Sequence, residues 1–171
     1  MRRSDDGREN IKRFSHRLSV ACALPLWLSA CAGAPVLWSD PEPQSIQVRQ
    51  VGALRDCASP QEGARVQLFE TGEAARAWAA ARQRDRLVRD VRPGRPYAVI
   101  ELGTASSLGS GIAVRSQAVR IGKRVRLEAS LFQGGAAPAP CVVVALPPGI
   151  DAQHTVAVYD TDGQRIAASQ P

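Results

Sequence analysis

From residue 97 onward the chain alternates between short apolar segments and turn signals, with no room for a helix between them. The clearest segment is Lys123 to Phe132. Val125, Leu127, Ala129 and Leu131 occupy one face and Arg124, Arg126, Glu128 and Ser130 the other. A period of two is the pattern of a strand with one buried and one wet face. Gly111 to Val119 alternates in the same way, and Arg120-Ile121-Gly122-Lys123 predicts a short hairpin turn between the two. Tyr97–Leu102 and Cys141–Leu146 are nearly continuous apolar runs, as expected of central strands, and Pro147-Pro148-Gly149 stops the second. Thr155–Tyr159 and Gln164–Ala167 flank the turn Asp160-Thr161-Asp162-Gly163. The Asp-x-Asp-Gly of that turn lacks the distal Glu of a calcium loop, so it is read as a turn.

Upstream, Ser45–Val51 and Arg65–Phe69 predict two more strands. Thr71 is placed to cap a helix, and the Ala- and Arg-rich stretch that follows predicts one α-helix near residues 72–86. Ala74, Trp78 and Ala81 are expected on its buried face, with Trp78 as a core residue. Pro93-Gly94-Arg95-Pro96 ends this part. The expected fold is mainly β: an antiparallel β-sandwich or barrel-like domain with one helix.

The N-terminus has another character. Arg2, Arg3, Arg8, Lys12, Arg13 and Arg17 precede an uncharged stretch from Leu18 to Ala30, interrupted by Pro25. A basic head and a short apolar core form an export signal, and the run is shorter than the roughly 20 residues of a transmembrane helix. It ends Leu28-Ser29-Ala30-Cys31, which resembles the lipobox of bacterial lipoprotein signals. The resemblance implies cleavage before Cys31, a diacylglycerol on its thiol and an acylated new N-terminus. Several acyl chains make a lasting anchor where one would be marginal. Ala32, where an Asp would resemble an inner-membrane retention signal, leaves the outer membrane, facing the periplasm, as the expected address. The expected organisation is a signal peptide over 1–30, a Pro-containing tether over 31–45 and one β domain over 46–171.

Charge and cysteine counts change meaning after this division. The chain has 22 basic and 16 acidic side chains, a net +6. Six of the basic and three of the acidic groups lie in the first 30 residues, so the remainder carries +3. With no basic patch interleaved with aromatics, nucleic acid is not an expected partner. The densest cationic stretch is Arg82, Arg84, Arg86, Arg89, Arg92 and Arg95, interrupted by Asp85 and Asp90. It reads as an exposed helix end, with anionic headgroups near the anchor as the alternative use. Cys22 leaves with the signal and Cys31 takes the lipid, so Cys57 and Cys141 remain. In an exporting compartment they are expected to form a disulfide, worth about 4 kcal/mol in the chain-entropy view. The alternative is two buried thiols.

Chemistry-bearing motifs are missing. There is no G-x-S-x-G, H-E-x-x-H, Walker-type loop or C-x-x-C. After the signal His154 is the only histidine, and it is expected to be a polar residue at a strand edge. Glu101 and Glu128 read as isolated acids. No catalytic residue, metal ligand or cofactor is expected, and the chain is not expected to be an enzyme.

Several pieces in order carry a family resemblance: Tyr97–Gly103, the Gly-containing loop into Gly111–Val114, the hairpin through Gly122, Pro140–Pro147, and Val156–Gly163. Together they resemble the C-terminal domain of PrcB-type protease-complex subunits. That resemblance implies a secreted or lipid-anchored β domain that supports the assembly or stability of a surface protease. The family loop after the first strand often reads Pro-Thr-Gly-Gly-Tyr; here the Pro is gone and Ile112 replaces the aromatic. The Ser- and Gly-rich loop is the candidate partner-binding segment: Ser107, Leu108, Gly109, Ser110, Gly111 and Ile112. The expected partners are the membrane, through the anchor, and an envelope protein of the protease class. A lipoprotein protease inhibitor acting through the same loop is the alternative, and a structural envelope lipoprotein is a third reading.

Overall fold

The computed structural model describes residues 41–57, 63–103, 111–132 and 139–170. The expected signal peptide, and the expected tether as far as residue 40, lie outside the described residues. In chain order the elements are β1 (Gln44–Gln47), β2 (Arg49–Leu54), β3 (Arg65–Phe69), α1 (Gly72–Ala80), a 3₁₀ turn (Asp85–Val88), β4 (Tyr97–Glu101), β5 (Gly111–Ile121), β6 (Arg124–Phe132), β7 (Cys141–Ala145), β8 (Thr155–Tyr159) and β9 (Arg165–Ala168). They make two sheets, ordered β1-β5-β6-β8-β9 and β2-β7-β4-β3. The domain is a sandwich and not a closed barrel. All pairings are antiparallel except β6 with β8. Those two run parallel because the chain crosses to the other sheet as β7 before it returns.

The two sequence patterns have different physical origins here. Ala98, Ile100, Val142 and Val144 face the first sheet in one core. Tyr97, Val99, Cys141, Val143 and Ala145 face α1 and the 3₁₀ turn in a second core. Strands β4 and β7 are therefore buried on both faces and read as continuous apolar runs. Strand β6 buries only Val125, Leu127 and Ala129 and so alternates. Residues 38–171 form one compact unit that holds both cores and every strand pairing among the described residues, so this part carries its own complete hydrophobic core.

Three local expectations change. The strand expected over Ser45–Val51 is two strands in different sheets. Val48, between them, is buried in the inter-sheet core, and its N–H donates to Ser116 O at 2.8 Å. The helix is shorter than residues 72–86. Thr71 caps it by accepting from Ala74 N at 3.3 Å, but it ends at Ala80. Gln83 then takes a left-handed φ of 56°, which turns Arg84 inward. The buried helix face is Gly72, Ala75, Trp78 and Ala79; Ala74 and Ala81 are exposed. Trp78 packs in the second core as expected, 5.7 Å from the Phe69 ring centre.

Candidate interaction site

The residues singled out above fall in three places. Cys31, Ser107, Leu108, Gly109 and Ser110 lie outside the described residues. Gly111 and Ile112 begin β5, and Ile112 is buried between the sheets. Its side chain faces the inter-sheet core. Cys57 and Cys141 are joined by a disulfide with a Cα separation of 5.9 Å, and both are buried. The bridge ties the end of β2 to the start of β7, where Cys57 N also donates to Ala139 O at 2.7 Å.

Glu101 is not an isolated acid. It is fully buried at the end of β4, and Arg84 Nη1 donates to its Oε1 at 2.7 Å. Arg65, opposite it on β3, donates to Oε2. Arg84 is thus buried, not part of an exposed cationic helix end, and its guanidinium stacks 5.4 Å from the centre of the Trp78 ring. Arg82 covers the same ring at 4.9 Å. With each carboxylate oxygen held by a guanidinium, Glu101 has no oxygen turned to a substrate. Its role is to pin the turn after α1 to the sheet. Half-buried Glu128 pairs with exposed Arg115 at 3.0 Å.

His154 is buried just before β8. Its Nε2 lies 3.1 Å from Arg120 Nη2, which can only donate, so Nε2 is the acceptor. Asp151 turns both its Oδ1, at 2.7 Å, and its N–H, at 3.2 Å, towards Nδ1. With Nε2 accepting from Arg120, Nδ1 carries the proton and donates along the shorter contact to Oδ1, and the N–H contact is not a hydrogen bond in that tautomer. The hydrogen bond to Oδ1, first of all, holds the Asp151 carboxyl below the usual aspartate range. An imidazole whose lone pair is occupied by an arginine is unavailable as a general base. The arrangement fastens the β7–β8 connection instead. Ala152 N in that connection donates to Glu70 Oε1 at 2.8 Å, and Lys123 Nζ to Gln153 Oε1 at 2.5 Å. Among the described residues, no three His, Cys, Asp or Glu side chains converge as a metal site would require.

The feature suited to recognition is at the sandwich's open side. On one side the edge strands β1 and β2 are consecutive and joined through Val48, so the chain itself closes that side. On the other side the edges are β3 and β9. They lie beside each other with no ladder between them. The groove between them holds about 760 Å³ and is lined by β3 with Ala64, by Ala152, and by Ala168 through Gln170. Strand geometry turns every second backbone N–H and C=O of an edge strand outward. Ser169 N donates to Val156 O, so Ala168 directs its backbone groups away from β8. Gln67 lines the groove through its backbone; its side chain, opposite Val99, faces the second core, where its buried Oε1 has no hydrogen-bond partner among the described residues. No signal in the sequence marks this site, because it arises from two strands about a hundred residues apart.

No family model, curated protein or solved structure matches the chain.

Proposed function

We propose that this protein is a non-enzymatic interaction domain of the bacterial envelope, held on the membrane by a lipid on Cys31. It takes an extended segment of a partner protein between β3 and β9. The observation that carries this reading is the pair of unladdered edges facing one groove. A guest strand there satisfies backbone groups on both sheets at once, the mode of β-strand addition. A protease, or another subunit of its complex, is the partner class. Its support is the resemblance of residues 97–163 to PrcB-type subunits.

Affinity recovery of the full chain from solubilised membranes tests the reading. A stoichiometric partner is expected, and Ala168→Pro, which removes an outward N–H while sparing the β8 ladder, should lose it at unchanged melting temperature. Recovery of the protein alone, or full recovery of the partner by the Pro variant, refutes the edge as the contact. Cys31→Ser should leave the chain soluble or unprocessed; a processed variant that still fractionates with membranes removes the lipid from the account.

A further inference from the structure

A second groove, of about 540 Å³, lies between β2, α1 and the segment after the 3₁₀ turn. Arg49, Arg76, Arg89 and Arg92 line it, and Asp90 is its one carboxylate. A shallower depression of about 270 Å³ shares Arg49 and Arg92 and adds Arg95. All five arginines are exposed. Arg76 donates to the Val91 carbonyl. The guanidinium groups of Arg49, Arg89, Arg92 and Arg95 have no ion-pair partner among the described residues.

The backbone that presents these arginines is fixed by close contacts. A Cβ on Gly52 would overlap the Leu87 carbonyl, so glycine lets the 3₁₀ turn settle onto β2. A Cβ on Gly72 would overlap the Arg92 carbonyl, so glycine lets the following segment settle onto α1. The Tyr97 hydroxyl accepts from Arg92 N at 2.8 Å and donates to Arg92 O at 3.2 Å. Gly94 N donates to Glu73 Oε2 at 3.4 Å. Three chain segments thus bring five arginines together on a rigid frame; Asp90 lines the groove, and Glu73 lies beside it, near Arg76.

Such a frame leaves a positive potential that an anion must complete. Guanidinium forks match phosphate oxygens in pairs, which favours a phosphate over a lone carboxylate. The apolar part of the lining is Val51 and Val91, with no aromatic ring on which a base could stack. The groove also lies near the point where the chain enters the domain. Gln47, in the adjoining depression, is three residues from the start of β1, about 10 Å along the strand. Pro41 is ten residues after Cys31, a reach of at most about 35 Å. We infer that the arginine groove binds the phosphate of anionic lipid headgroups in the membrane beside the domain. This orients the open edges of β3 and β9 relative to the surface. The charge argument is independent of the lipid on Cys31, which contributes only proximity.

Residues 41–171, which lack Cys31, provide the test. They should sediment with vesicles of equimolar phosphatidylglycerol and phosphatidylcholine and stay in solution with phosphatidylcholine alone. Raising the salt should reverse binding. Each arginine near an anionic surface changes partitioning about five-fold, so Arg89→Gln with Arg92→Gln should weaken it about 25-fold. Arg55→Gln with Arg165→Gln removes equal charge elsewhere and should leave it within about two-fold. Arg49→Gln, on β2, decides the matter if the first pair alters melting. Absence of binding, equal binding to pure phosphatidylcholine or full binding by the groove variants would overturn the inference. So would capture of inorganic pyrophosphate without capture of vesicles, or preference for single-stranded nucleic acid over vesicles in competition.

Discussion

Arg84 Nη1 and Glu101 Oε1 are 2.7 Å apart, with 8% and 0% of their side-chain surface exposed. The pair joins the turn after α1 to the end of β4, and Arg65 completes it from β3. Removing the acid leaves a buried guanidinium uncompensated, which costs about 3–5 kcal/mol. Glu101→Gln should therefore shift urea unfolding of residues 41–171 strongly downward. Arg84→Met with Glu101→Leu should recover much of that loss. A Glu101→Gln protein as stable as the parent would remove the pair from the account of stability.

The disulfide closes a loop of 84 residues between Cys57 and Cys141. Its reduction should lower unfolding free energy by about 4 kcal/mol, read from denaturant curves with and without reductant. Thiol titration of the denatured, unreduced 41–171 fragment should find none. Two free thiols would eliminate the bridge.

Acid should unfold the domain partly through Asp151. The hydrogen bond from His154 holds its carboxyl below the ordinary value of 3.8, so the folded state binds a proton less readily than the unfolded state does. The resulting stabilisation is present above the unfolded pKa and lost as pH falls through the lower folded one. Asp151→Asn should flatten the acid limb of a plot of urea midpoint against pH. An unchanged limb would show that the carboxylate makes no such contribution.

Gly72→Ala sets a Cβ against the Arg92 carbonyl, a backbone atom that cannot swing aside. Overpacking of this kind costs about 1–3 kcal/mol. The variant should also bind anionic vesicles more weakly, because Arg92 moves with its carbonyl. Parental melting and parental vesicle binding together would show that the close approach is not needed.

The strands were legible where burial imposed a simple rule. Tyr97–Leu102 and Cys141–Leu146 read as apolar runs because each is covered twice, and Lys123–Phe132 alternates because it is covered once. The change of sheet at Val48 left no local trace, since a strand has the same period before and after it. The helix was overestimated because Arg82-Gln83-Arg84 has good helix propensity, and the contact that draws Arg84 inward comes from Glu101, 17 residues away. Glu101 did carry a usable signal: an acid inside a central apolar run must find cations. The candidate groove left none, because an open edge is defined by which strands are not neighbours.

The single residue between β1 and β2 has a mechanical consequence. Any load applied through the chain before Pro41 reaches β1 first, and β1 is a four-residue edge strand zipped to β5. Next in the line of force is Val48, embedded between both sheets, and then β2, laddered to β7 and stapled at its far end by the disulfide. Under tension β1 is the yielding segment and the disulfide-backed sheet the stop. The domain can therefore lengthen its connection by one short strand while the groove between β3 and β9, on the opposite side, keeps its shape.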